Sequence, residues 1–237
     1  LRKGIMLNKK NIDEEKDIRN DFLLESIYKI QNFYTYNKKF ANKILISFFT
    51  FLGIVLIYFY IDANRNYEAD KIFNRGMSYY KSGDIELALI EFEDLKLNFN
   101  STKKGILSFY FIGKINFDDE KYNESLIYFK NYLKRGKSKS YLSSTFSMLA
   151  MINSINNEHL KAAKEYEKAS EITISQSFKN RLLFQSLNSY LKSKDLINSE
   201  KILDILKNND DVQKNQKDEY ERIFNYYKTL KKRISKN

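Results

Sequence analysis

Residues 80–92, YKSGDIELALIEF, combine a turn with the start of an amphipathic helix, and this pattern returns through most of the chain. Steps of thirty-seven residues from Ala88 reach Ser125, Ala162 and Ser199, so a small residue recurs each time. Large residues recur four positions further on: Phe92, Phe129, Tyr166 and Leu203. A fixed period of this length is typical of helical repeat proteins, in which similar units stack on one another.

Each repeat is interrupted near its middle by turn-forming residues, at 82–84, 118–120, 156–157 and 193–195. Apolar residues on both sides of these breaks recur at three- and four-residue spacing, which predicts two helices per unit. One hairpin cannot bury its apolar face alone, so neighbouring hairpins must stack. We therefore predict an all-α fold with four hairpins within residues 62–210, at about 67–98, 104–135, 141–172 and 178–207.

The repeated positions resemble the tetratricopeptide repeat (TPR), and the first unit matches its pattern best, at Ile72, Gly76, Tyr79, Ala88, Phe92 and Leu95. The second unit follows at Phe109, Gly113, Ser125, Phe129 and Tyr132. The later units are degenerate, with Asn153 and Leu187 at positions where the family has a tyrosine and a small residue. The resemblance implies a TPR-like helical-hairpin solenoid. Residues 211–237 are then a capping helix, predicted as one long helix over 211–233, and a basic tail.

A second feature is the segment ILISFFTFLGIVLIYFYI at residues 44–61, which contains no charged residue. As a helix it would be about 27 Å long, close to the hydrocarbon thickness of a bilayer. A buried helix of a soluble domain is disfavoured because the segment has no polar stripe. A cleaved signal peptide is disfavoured because forty-three residues precede the segment. We therefore predict one transmembrane helix at residues 44–61.

The charges beside this segment predict its orientation. Lys38, Lys39 and Lys43 precede it, whereas Arg65 and Lys71 follow at a greater distance. Basic residues near a span stay in the cytoplasm. We therefore expect a single-pass protein of the bacterial inner membrane, with residues 1–43 as a cytoplasmic arm and the C-terminal domain in the periplasm. Within the arm, residues 13–43 are predicted to form a partly amphipathic helix.

The composition argues against catalysis. The chain has no cysteine and one histidine, His159, and its seven glycines form no phosphate-binding loop. We therefore predict no catalytic residue, no cofactor, no metal and no enzymatic activity. The net charge is +11, but basic and acidic residues alternate along amphipathic helices, which disfavours nucleic acid as a partner. The tail from Lys214 onward is the place where contact with an anionic lipid or polyanion is worth testing.

The predicted partners are other proteins or peptides. In TPR solenoids the first helix of each unit lines a concave groove, and aromatic and methionine side chains there suit an apolar or extended peptide. The alternative is that several of these side chains seal adjacent repeats. The resemblance implies a protein-binding groove that includes Phe73, Met77, Tyr80, Tyr110, Lys114, Phe117, Met151 and Phe184.

The order of these parts is similar to that of the YfgM-like ancillary subunits of the bacterial Sec translocon. Those proteins also have a short cytoplasmic arm, one N-terminal span and degenerate TPR units outside the cytoplasm. The similarity implies a role in protein export, with translocon components or periplasmic chaperones as partners. The alternative is a structural TPR scaffold for cell-envelope assembly or for the division machinery.

Overall fold

The computed structural model of the protein describes residue 22 and residues 24–236. The regular structure in this part of the chain is helical, as predicted, and includes no strand. The chain divides into two compact parts between Ala63 and Asn64. The helices are α1 (24–36), α2 (Lys38–Ser82), α3 (Ile85–Asn98), α4 (Lys103–Asp118), α5 (Tyr122–Arg135), α6 (Lys139–Ile155), α7 (His159–Ile172), α8 (Gln176–Lys192), α9 (Leu196–Lys207), α10 (Asp210–Asn215) and α11 (Lys217–Ile234).

The helix predicted for the N-terminal arm is interrupted at Asn37, which separates α1 from α2. The carbonyl of Asn37 accepts hydrogen bonds from the backbone N–H groups of Phe40 and Ala41, at 3.0 and 2.9 Å, and so caps the start of α2. The part of the predicted arm helix that falls on residues 13–21 and 23 lies outside the described residues.

The predicted membrane segment belongs to helix α2, which extends beyond it at both ends. Among the described residues, α2 is the one helix that is long and apolar enough to cross a membrane, and none of its most apolar part is buried. The side chains of 44–61 are exposed, apart from half-buried positions at Gly53 and Val55. Because exposed apolar surface is unfavourable in water, this segment is suited to an apolar environment.

Four helical hairpins follow one another in the described part of the chain after residue 63, and a thirty-seven-residue period is visible in their backbones. The turn of each hairpin contains one residue with positive φ, at Gly83, Glu120, Asn157 and Lys194. The N–H of the next residue donates to a carbonyl five positions earlier, as in Lys121 to Asn116 at 2.8 Å. This left-handed cap satisfies the last carbonyls of the first helix. Because the same cap occurs in all four hairpins, this part of the chain is built from helical repeats.

The small residues of the repeat lie where the helices cross. Ala88, Ser125, Ala162 and Ser199 are completely buried, as their spacing predicted. The Ser125 hydroxyl donates to the carbonyl of Gly113 on the preceding helix at 2.8 Å. The hairpins then stack, with α3 on α4, α5 on α6 and α7 on α8. Each hairpin therefore has a buried small residue at the same position of its second helix.

The prediction of one long C-terminal helix is wrong, because α10 and α11 are separated at Gln216. This residue has φ −134° and ψ 23°, outside the α-helical region, and its N–H closes α10 by donating to the carbonyl of Val212. The break lets Val212 be buried while α11 packs on α9. Tyr220, Ile223 and Tyr227 of α11 share one core with Ile202 and Leu206 of α9.

Candidate protein-binding surface

The eight predicted groove residues differ widely in exposure. Phe73, Tyr110 and Phe184 are buried, with 6 %, 6 % and 2 % of their surface exposed. Four others are half-buried: Met77, Tyr80, Lys114 and Phe117. Met151 alone among the eight is exposed, at 41 %. The eight side chains therefore do not form one continuous open strip.

Tyr110 belongs to the core, and the prediction of an accessible groove ring is wrong for this residue. Its hydroxyl lies 2.9 Å from the Ser144 hydroxyl of α6, and its ring centroid is 4.8 Å from that of Tyr141. Burial raises the pKa of Tyr110 above its ordinary value. The ring closes the contact between α4 and α6, which is the sealing role that the sequence left open as an alternative.

Phe73 and Phe184 are also core residues rather than groove residues. Phe73 packs between Phe92, 5.9 Å away, and Phe111, 5.6 Å away, where these distances join ring centroids. Phe184 lies in the C-terminal core with Leu187 and Leu203. Phe111, which was not among the predicted groove residues, also contacts Tyr80 and Tyr110, so it is the centre of the aromatic cluster.

Tyr80 and Lys114 are two predicted groove residues that contact each other, and the side chains of both are half-buried. The Lys114 ammonium lies 5.8 Å from the centre of the Tyr80 ring and 2.7 Å from Asp118 Oδ2. Burial opposes the charged form of Lys114, but the hydrogen bonds of its ammonium group with Asp118, which accepts, and with Tyr80 outweigh this effect, so the pKa of Lys114 is raised. Lys114 therefore stays charged, and the carboxylate of Asp118 in the same helix balances its positive charge.

A pocket that the sequence did not predict lies where the N-terminal ends of α4 and α6 meet the C-terminal end of α5. Its volume is about 430 Å³, within the roughly 300–1,000 Å³ typical of small-ligand sites. Its apolar and aromatic lining, which we call the floor, consists of Ile106, Leu107, Tyr132 and Tyr141. We call it the rim pocket; it is lined by Ser101, Lys103, Lys104, Ile106, Leu107, Tyr132, Arg135, Gly136, Lys137, Ser138 and Tyr141.

The charge around the rim pocket has one sign, since four basic residues and no acidic residue line it. Lys104 is 3.9 Å from Asp70 Oδ1 and lies over the Phe73 ring, while Arg135 donates to the Asn100 carbonyl at 3.0 Å. The side-chain ammonium groups of Lys103 and Lys137 make no hydrogen bond or ion pair within the described part of the chain. Their charges are available to an anionic ligand.

Tyr132 gives the rim pocket a polar group. Its side chain is 2 % exposed, and its hydroxyl has no hydrogen-bond partner among the described residues. A Cβ atom at Gly136 would lie 2.5 Å from Cζ of Tyr132, so glycine is required beside the ring tip. Burial and the neighbouring tyrosines raise the pKa of Tyr132 to about 12.

The sequence contains part of the signal for this pocket, namely the basic run KRGKSK at residues 134–139. Its apolar floor cannot be recognised in the same way, because Ile106 and Tyr132 come from different helices. A scan against protein-family models finds no match for this chain, and no curated protein matches it.

Proposed function

We propose that this protein is a membrane-anchored TPR-type repeat protein whose function is to bind other proteins rather than to catalyse a reaction. The observation that carries the proposal is the exposed apolar surface of residues 44–61, in a chain whose other part is a stack of four helical hairpins. Stacked hairpins present an extended surface, and repeat proteins of this kind use such surfaces for binding.

The proposal includes the topology. Residues 1–43 lie in the cytoplasm, residues 44–61 span the bacterial inner membrane, and the repeats lie in the periplasm. The basic residues before the span support this orientation, because such residues resist translocation.

The partners proposed first are components of the Sec translocon and periplasmic chaperones, as the resemblance to YfgM-like subunits implies. A scaffold for envelope assembly or division is the second candidate, because a repeat surface fits either role. The experiment is chemical crosslinking in membranes, followed by detergent extraction, capture of the full chain and identification of the crosslinked proteins. Channel components support the first candidate, and cell-wall or division proteins support the second.

The control for this capture is a chain that ends at Ala63, the last residue before the repeat part. It keeps the apolar segment and lacks the hairpins. Partners that require the hairpins are expected only with the full chain. The same partners with both chains would mean that the repeats do not bind them, and the proposed function would be wrong.

A further inference from the structure

We propose that the rim pocket binds an acidic peptide segment, with one apolar side chain on the pocket floor and flanking carboxylates at the basic rim. This inference rests on the proposed protein-binding function and assigns it a site and a partner chemistry. The site lies at the ends of α4 and α6 and does not use the eight residues predicted from the sequence.

The charge of the rim pocket favours an acidic occupant. Lys103 and Lys137 carry charges that no acidic side chain in the described chain compensates, and they lie at the edge of an apolar cavity. Clefts lined by one sign of charge concentrate ligands of the opposite sign. A carboxylate on each side of the occupant would pair with these lysines, and hydrogen bonds between charged groups are the stronger kind.

The Tyr132 hydroxyl lines the pocket and has no hydrogen-bond partner among the described residues. It is not one of the fully buried polar atoms, so water can reach it. A ligand that displaces this water must accept the hydrogen bond of the hydroxyl, because a buried hydroxyl without a partner has an unfavourable free energy. The first turn of α6 offers further donors, because the Ser138 side chain does not cap it. A peptide carbonyl or carboxylate in the pocket would accept these bonds. Oxygen acceptors are therefore the expected complement of this site.

The lining of the rim pocket favours a peptide over other anions. Ile106 and Leu107 form an apolar floor that a free phosphate would not cover. The rim lysines come from two separate segments, Lys103 from α4 and Lys137 from the connection between α5 and α6. A lipid carries its charge at one end, whereas an acidic peptide can place carboxylates on both sides of an apolar residue. The arrangement favours the peptide.

The test is fluorescence anisotropy with the full chain in a zwitterionic detergent. The probe is a labelled peptide with leucine and phenylalanine between two pairs of acidic residues. One control peptide has lysines in place of the acids, and another has alanines in place of leucine and phenylalanine. We expect the acidic apolar probe to bind at least about tenfold more tightly than either control, and added salt to weaken it.

The variant is Lys103→Glu with Lys137→Glu, and its matched control is Lys130→Glu with Lys164→Glu. Both pairs change the net charge equally, and the control lysines are exposed and lie outside the pocket. The double variant at Lys103 and Lys137, called the pocket pair, should bind the probe at least about tenfold more weakly than the unchanged protein does. The control pair should weaken probe binding by less than about twofold. Tyr132→Phe, which removes one hydroxyl, should weaken the probe by about threefold or more. This variant provides the test if the pocket pair lowers the melting temperature.

Equal binding by the pocket pair and the control pair, or equal binding of the acidic and lysine peptides, would overturn the proposal. So would binding of phosphatidylglycerol vesicles through Lys103 and Lys137 without binding of the peptide. Failure of the proposed function would look different: crosslinking would show no partner that needs the repeats, while the probe still bound. If the hairpins capture partners but binding of the probe does not depend on Lys103 and Lys137, only the inference about the rim pocket is wrong.

Discussion

Gly113 and Phe129 are so close that a Cβ atom on Gly113 would lie 2.8 Å from Cδ1 of Phe129. One repeat earlier, a Cβ on Gly76 would lie 3.0 Å from Cε1 of Phe92. In both units the helix backbone leaves room for the aromatic ring only because the residue has no side chain. The close crossing of the two helices therefore depends on this pair.

We expect Gly113→Leu to lower the free energy of unfolding by about 1–3 kcal/mol, because overpacking forces the Phe129 ring or the helices apart. The gain in helix propensity is smaller, at most about 1 kcal/mol. Lys130→Leu, at an exposed position, should stay within about 0.5 kcal/mol of the unchanged protein. Urea unfolding followed by circular dichroism measures both. Equal stability of the two variants would contradict the packing described here.

The sequence predicts this part of the structure well because size patterns repeat in it. A small residue at a close crossing and a ring beside it leave a periodic trace, which is visible at Ala88 and Phe92. The same reasoning located the four turns. Glu120, Asn157 and Lys194 adopt positive φ without being glycine, so turn position is specified by the whole hairpin as well as by local conformational preference.

Other features of the structure depend on contacts that leave no repeating pattern in the sequence, so the sequence did not predict them. The resemblance predicted Tyr110 as a groove residue, but Tyr141 and Ser144 of the next unit contact its ring and hydroxyl. The break at Gln216 arises where α11 turns back onto α9, which the apolar spacing within α11 does not reveal. The rim pocket combines helix ends that are distant in sequence. In each case a tertiary contact decided the result.

The burial of Tyr110 leads to a prediction that contrasts it with Tyr80. Tyr110→Ala should lower the free energy of unfolding by about 3 kcal/mol, because it leaves a cavity in the core between α4 and α6. Tyr110→Phe should cost about 1 kcal/mol, since it removes only the bond to Ser144. Tyr80 is half-buried, so Tyr80→Ala should cost clearly less than Tyr110→Ala.

The measurement is a thermal or urea melt of each full-length variant, followed by circular dichroism. Similar losses for Tyr80→Ala and Tyr110→Ala would mean that both rings have the same environment. If Tyr110→Ala is as stable as the unchanged protein, the Tyr110 ring is not part of the core, and its assignment as a groove residue is restored.

Glu167 links three helices. Its carboxylate accepts a hydrogen bond from the Tyr190 hydroxyl of α8 and another from Lys201 of α9, both at 2.7 Å. Burial opposes the charged carboxylate, but these two bonds outweigh it and hold the pKa of Glu167 below its ordinary value. Burial, together with the hydrogen bond to Glu167, raises the pKa of Tyr190. The carboxylate is therefore a partner that the core needs in its charged form.

We expect Glu167→Gln to lower the free energy of unfolding at pH 7 by roughly 1.5–3 kcal/mol, as for hydrogen bonds to charged groups. Glu171→Gln, at an exposed position on the same helix, should cost less than about 0.5 kcal/mol. Urea unfolding at pH 7 gives both values. A loss no larger than that of Glu171→Gln would mean that the linkage does not stabilise the repeats.

The pH dependence of this effect has a definite sign. The pKa of Glu167 is lower in the folded protein than in the unfolded chain, where it is about 4.3. Its stabilisation is therefore complete above the unfolded pKa and disappears as the pH falls through the folded pKa. The difference between the unchanged protein and Glu167→Gln should accordingly shrink below about pH 4. A difference that is constant between pH 7 and pH 3 would contradict the assignment.

The final prediction concerns topology. A reporter enzyme that is active only outside the cytoplasm, fused after Asn237, should be active, and a fluorescent reporter that matures only inside should be dark. The physical reason is that Lys38, Lys39 and Lys43 resist transfer across the membrane more than the mixed charges after residue 61 do.

The control changes the charge without changing the span. Asparagine at positions 38, 39 and 43 should lower the activity of the reporter enzyme and raise the signal of the fluorescent reporter. The reason is that these substitutions remove the positive charges that orient the helix. The same substitution at Lys3, Lys9 and Lys10, more than thirty residues before Ile44, should have little effect because such distant charges contribute little. Inside signal from the unchanged chain would reverse the orientation, place the repeats in the cytoplasm and remove periplasmic proteins from the proposed partners.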